Sequence, residues 1–226
     1  MPQNWLPFYF SLNALWCILR KYPVKNRLSF SNKTYMNMRT VVRWACLLLG
    51  FSIFHISAAN ITHRYSFTAD ASDLVGGADG QLAGGATISG GAVALDGSSG
   101  YVNLPNNLFT NYTSVTFEAW FTDNGSSAWA RLWDFGNSSG GEDNQGGGVS
   151  YMYLTSISSA GGLRGAYNPG SGEQLLDYTT RPAVGVEHHV IWTQDGNAHV
   201  AKIYLDGALV VENDNFSDTP AGIGST

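Results

Sequence analysis

The sequence predicts an all-β fold, an antiparallel β-sandwich, and three observations carry the prediction. From Asn60 onward, short segments rich in Val, Ile, Tyr, Phe and Trp alternate apolar and polar residues. Gly, Asn and Asp separate them at turn positions, and 26 of the chain's 27 glycines lie in this part. No stretch places its apolar residues at helical spacing.

Several segments read as strands. Weaker signals come first: Thr62 to Phe67, Gly91 to Gly97, and Gly100 to Pro105. Ser114 to Thr122 (SVTFEAWFT) is the clearest. Its alternation puts Val115, Phe117, Ala119 and Phe121 on one face and Thr116, Glu118, Trp120 and Thr122 on the other. Ala130 to Gly136 and Val149 to Thr155 are further strands. The Gly-rich stretches Asn137 to Gly148 and Ala160 to Gly172 read as surface loops. His188 to Gln194 and Ala198 to Gly207 form a hairpin through Asp195-Gly196-Asn197, where Gly and Asn tolerate positive φ. Asp206-Gly207 turns the chain into Ala208 to Asn213, completing a meander.

Charge divides the chain. No Asp or Glu precedes Asn60, whereas seven of the 12 Lys and Arg residues do. The remaining part carries 5 basic and 17 acidic residues, a net charge of 5 − 17 = −12. Such a body repels nucleic acid and anionic membrane, which both need cations to displace counterions. Residues 38–59 have the order of an export signal: Arg39 and Arg43, then an apolar run from Trp44 to Ile56, then Ser57-Ala58-Ala59 before Asn60. The run is too short to span a bilayer comfortably. Residues 1–37 hold a second apolar run. They read as an extended leader or first membrane segment, or more simply as sequence preceding a true start at Met36 or Met38. Both cysteines, Cys17 and Cys46, belong to the leader, so the body has neither disulfide nor thiolate chemistry. Residues 60–226 read as one exported domain.

The ordered set LDGSSGYVNLP (Leu95 to Pro105), TFEAWF (Thr116 to Phe121), RLWDFG (Arg131 to Gly136), HHVIWTQDG (His188 to Gly196) and KIYLDGALV (Lys202 to Val210) resembles the laminin-G-like domains of the concanavalin A-like jelly rolls. The resemblance implies two curved antiparallel sheets packed about 10 Å apart. Domains of that family continue past the position of Asp214–Thr226 into further strands. The resemblance therefore reads this chain as an incomplete jelly roll whose last strands are missing.

Glycoside hydrolases occur among these jelly rolls, with paired acids placed across the sugar bond. The glutamates here (Glu118, Glu142, Glu173, Glu187 and Glu212) form no alternating acid pattern on a strand. Glu118 has Thr116 and Trp120 as its same-face neighbours. No G-x-S-x-G elbow, P-loop or H-E-x-x-H motif is present. The adjacent His188 and His189 face opposite sides of a strand and cannot chelate one ion. The expectation is a protein without catalytic activity.

Two binding chemistries remain. Sugar rings lie on aromatic faces while neighbouring polar groups take the hydroxyls. Trp120, with Glu118, is the first candidate because its strand carries it off the apolar face; Trp129, Trp133, Tyr151, Tyr153, Tyr167 and Tyr178 are further aromatic candidates. Calcium is the candidate cofactor, needing 6–8 oxygen ligands from loops. Asp73, Asp134 and Asn137 are its candidate ligands, although no complete calcium-loop signature exists and turn formation accounts for the same residues. The expected function is a secreted or cell-surface recognition module for extracellular polysaccharide or a glycosylated surface. The alternative is a structural or adhesion module among other domains of a larger surface protein.

Overall fold

The computed structural model describes residues 60–108, 110–140 and 148–223. The export signal and residues 1–37 lie outside the described residues. The described residues all belong to one compact unit.

Its strands are β1 (Gln81–Ala83), β2 (Thr87–Ser89), β3 (Ala92–Ala94), β4 (Tyr101–Asn103), β5 (Ser114–Thr122), β6 (Arg131–Ser138), β7 (Gly148–Thr155), β8 (Arg164–Asn168), β9 (Gln174–Asp177), β10 (Glu187–Asp195), β11 (Val200–Leu205) and β12 (Ala208–Asn213). Two four-stranded antiparallel sheets make the sandwich, in the orders β12-β11-β10-β5 and β6-β7-β8-β9. The pairs β1-β4 and β2-β3 are separate ribbons.

The core lies between the two large sheets. Val190, Trp192, Ala201 and Ile203 enter it from one side, and Met152, Leu154, Tyr167 and Leu176 from the other; all are fully buried. Burial of such side chains contributes about 1.5–3 kcal/mol each for Val, Leu, Ile and Met. The meander follows the predicted parity, with β10 alternating buried and less buried residues along its length. On β5 the inward set Val115, Phe117, Ala119 and Phe121 is only half-buried, because β5 is the last strand of its sheet.

Three expectations are corrected. The stretch Ala160 to Gly172 is not a surface loop: β8 runs through it, and Leu163, Ala166 and Tyr167 are fully buried. Gly165 is what permits this, since its missing Cβ leaves room for the Trp192 ring. Thr62 to Phe67 forms no strand and contributes one isolated bridge, Tyr65 to Asp73. At Asp195-Gly196-Asn197 the left-handed residue is His199 (φ 57°), not Gly or Asn. Gly196 serves close packing instead, for a Cβ there would sit 2.6 Å from the Thr113 carbonyl oxygen. Asp206-Gly207 does turn as expected, with both residues at positive φ (51° and 81°).

The segment after β12 closes one end of the sandwich. Phe216 and Ile223 are buried, and residues Pro220–Ile223 form a short 3₁₀ turn. Tyr167 donates its hydroxyl to the Thr219 carbonyl, Ser150 donates to that of Ile223, and Gln194 donates to that of Asp218 at 2.9 Å. At another junction, Asp123 after β5 receives Ser126 N–H (2.8 Å), the Ser156 hydroxyl (2.9 Å) and Arg181 Nη2 (2.7 Å). Burial pushes the Asp123 carboxyl up, but these hydrogen bonds outweigh it and hold the group well below the usual range.

Candidate functional site

The outer face of the β5 sheet carries Trp120 and Glu118, as the alternation of β5 requires. Trp120 stands opposite His189 of β10, and the two rings stack at 4.4 Å with an interplanar angle of 17°. His189 Nε2 lies 2.8 Å from Glu118 Oε1. Trp120 is thereby held against His189, yet 62% of it is exposed. The structure brings the two sequence-predicted residues together and adds His189 as the link. Its neighbour His188 points inward, with Nδ1 2.8 Å from Asp206 Oδ2 and Nε2 3.2 Å from the Ala183 carbonyl. The two histidines face opposite sides, as expected.

The remaining aromatic candidates separate by face. Trp133 packs against the core, Tyr167 lies within it, and Tyr178 packs against its edge. Trp129, Tyr151 and Tyr153 gather on the outer side of the β6-β9 sheet. Tyr151 and Tyr153 stack at 5.9 Å, and Trp129 meets Tyr153 edge-on at 6.5 Å. The Arg131 guanidinium lies 3.6 Å above the Tyr153 ring, while Arg164 sits 5.5 Å from the centre of Trp129. Both arginines are paired: Arg131 Nε donates to Asp134 at 3.1 Å, and Arg164 Nη2 donates to Asp177 at 2.8 Å.

The strand β6 explains why these groups meet. Strict alternation would send Arg131 and Asp134 to opposite faces. A bulge between Arg131 and Trp133 inserts Leu132 and brings both onto the outer face. Sequence reasoning missed Arg131 and Arg164 because their role depends on that bulge and on a strand concealed among glycines.

Each candidate calcium ligand has hydrogen-bond partners of its own. Asp73 is buried, and its carboxylate receives Arg64 N–H (2.9 Å), Val75 N–H (3.0 Å) and Ala78 N–H (3.1 Å), with His63 Nδ1 at 2.7 Å. Burial opposes the charge, but these bonds lower the pKa well below the usual range. Asp73 thus organises the segment before β1. Asp134 pairs with Arg131, and Asn137 Oδ1 accepts Ser150 N–H at 2.9 Å. Among the described residues, no group of three or more His, Cys, Asp or Glu side chains converges on a point. A cleft of about 320 Å³ beside β1 and β4 is lined by Asp79, Gln81, Asn103, Leu104 and Pro105, without an aromatic ring. No helix among the described residues is long and apolar enough to cross a membrane.

Two packed four-stranded antiparallel sheets form a β-sandwich of the concanavalin A-like jelly-roll type. The chain belongs to the concanavalin A-like lectin/glucanases superfamily, whose laminin-G-like family model matches residues 96–225. Among solved structures, the chain is similar to domain 4 of AbnA, a GH43 extracellular arabinanase from Geobacillus stearothermophilus, in complex with arabinotriose. The two share 19% identity with a TM-score of 0.60, over 74% of this chain and 81% of that one, a likeness of fold. No curated protein matches the chain.

Proposed function

We propose that this protein is a secreted, non-catalytic recognition module that binds extracellular polysaccharide, with Trp120 as the stacking plate and Glu118 as a neighbouring hydroxyl acceptor. The observation that carries the reading is the exposed Trp120 ring, fixed by its stack on His189 and by the bond from His189 to Glu118. A rigid aromatic plate loses little entropy on receiving a sugar ring. The arabinotriose complex of the structurally similar arabinanase domain supports carbohydrate as the ligand class. Glycoside hydrolysis needs a second carboxylate across the bond. The same-face positions around Glu118 are Thr116 and Trp120 on β5 and Ile191 in register on β10, none of them acidic.

A second reading is favoured by β5 itself. It is nine residues long, lies at the end of its sheet, and backs onto half-buried Phe117 and Phe121. The last strand of a sheet, as β5 is among the described residues, is a template for another chain. The alternative is therefore an adhesion module completed by a neighbouring domain of a surface protein.

A glycan array, run with and without calcium, separates the two readings. Specific binding that weakens at least tenfold in Trp120→Ala supports the first. Undiminished binding in that variant removes Trp120 from the site, and signal lost on chelation moves the site to the loop acids. Failure of the folded protein to bind any glycan favours the adhesion reading.

A further inference from the structure

The outer face of the β6-β9 sheet concentrates three irregularities within six residues. Trp129 has φ 74°, a left-handed conformation that is unfavourable for a bulky side chain. The strained backbone is held by its N–H, which donates to the Ile157 carbonyl at 2.8 Å. Two residues later comes the bulge that turns Arg131 and Asp134 to the same face. The Arg131 guanidinium then rests on Tyr153, and its Nη1 is buried without a hydrogen-bond partner. Strain, a bulge and an unsatisfied donor are each unfavourable for folding, and such features gather where function requires them.

The result is a preorganised surface. Trp129 remains 38% exposed, with the Arg131 and Arg164 guanidinium carbons 5.7 and 5.5 Å from its ring centre. Below it, Arg131 is fixed between Tyr153 and Asp134, and Arg164 is fixed by Asp177 on two oxygens. Two guanidiniums, each held by its own aspartate, therefore stand in set positions beside one apolar ring, the combination that recognises the hydroxyls and C–H face of a sugar. Each arginine is neutralised by its own aspartate, which leaves no surplus positive charge for a uronate or sulfate. The body's net charge of −12 repels polyanions further.

We propose that this face is a second binding site, for a neutral oligosaccharide, with Trp129 as its plate and Arg131, Asp134 and Arg164 as its hydroxyl partners. It faces away from Trp120 across the thickness of the sandwich, so the module holds two glycan chains at once. Two-site binding rests on the carbohydrate reading given above, but the Trp129 site stands or falls separately.

The test titrates the purified protein with neutral linear arabino-, xylo- and cello-oligosaccharides and with uronate oligomers, followed by calorimetry and by indole N–H resonances. The variants are Trp120→Ala, Trp129→Gly, which suits the left-handed backbone, and their combination. The expected stoichiometry is two sugars per chain in the unaltered protein, one in either single variant and none in the double. The Trp129 indole signal, identified by its loss in Trp129→Gly, shifts on titration with a neutral sugar. Arg131→Lys keeps the charge but loses the planar fork, and weakens this site at least tenfold with an unchanged circular dichroism spectrum. Unchanged stoichiometry and affinity in Trp129→Gly overturn the proposal, as does a Trp129 resonance that responds to uronates alone or to nothing. Loss of all binding in Trp120→Ala, with Trp129→Gly indifferent, overturns it while leaving the first site standing. The reverse pattern upholds it and removes the first site.

Discussion

Gly165→Ala tests how the two sheets interlock. Gly165 on β8 faces Trp192 on β10 across the core, and a Cβ placed on it would sit 2.2 Å from Trp192 Cζ3 and 2.9 Å from Cε3. The indole cannot retreat readily. It is fully buried and meets Phe216 edge-on at 6.1 Å. Gly165 lies outside the left-handed region, so alanine would otherwise stabilise the protein by about 0.4–1 kcal/mol through the unfolded chain. Overpacking opposes this with about 1–3 kcal/mol, and a contact this short against a ring places the cost at the upper end. The expected net destabilisation is roughly 2 kcal/mol.

The decisive comparison adds Trp192→Leu, which removes the atoms that the new methyl would strike. Alone, it costs about 3 kcal/mol through lost burial and a cavity. In the double variant the methyl occupies part of that cavity, so the pair should be no less stable than Trp192→Leu alone. That corresponds to a coupling of about 2 kcal/mol, well above the roughly 0.5 kcal/mol scatter of independent sites. Urea denaturation provides the measurement. With a slope of about 2 kcal/mol/M, Gly165→Ala should lower the midpoint by about 1 M with the slope unchanged. Additive costs, or a Gly165→Ala midpoint within error of the unaltered protein, would refute the packing of β8 against β10.

Two further predictions concern the carboxylates. Asp123→Ala strips partners from the buried Ser156 hydroxyl and from Arg181, and should cost about 3 kcal/mol in the same denaturation experiment; a cost below about 1 kcal/mol would show that the network is not what holds that junction. Hydrogen bonding holds Asp73, Asp96, Asp123 and Asp206 below the ordinary aspartate range, burial opposing it most strongly at Asp73 and Asp123. A depressed folded pKa gives stability that is complete above the unfolded value of about 3.9 and lost as pH falls through the folded one. Asp134 acts with the opposite sign, since burial raises its pKa despite Arg131, but it is outnumbered. The melting temperature should therefore stay level from pH 7 to about pH 5 and fall below about pH 4; a rise between pH 5 and pH 3 would contradict this assignment.

What the sequence discloses follows from how local the determining physics is. In β5 and β10 the side of each residue is set by parity alone, so the exposure of Trp120 and the opposed directions of His188 and His189 are readable from the string. In β8 the string RGAYN misleads, because Gly165 looks like a loop residue. It is there for Trp192, a partner 27 positions away along the chain. The pairing of Arg131 with Asp134 is hidden for another reason: one inserted residue reverses the parity on which any reading of β6 depends. Asp73 illustrates a third limit. An acid among loop residues invites a cation, whereas its carboxylate is already filled by backbone N–H groups folded around it. The same distinction bears on the two proposed sites. The Trp120 plate is a product of regular alternation, and a conservative redesign of the strand would keep it. The Trp129 plate exists only where a left-handed tryptophan and a bulge coincide, so a redesign that restored regular alternation to β6 would remove it while leaving the Trp120 plate intact.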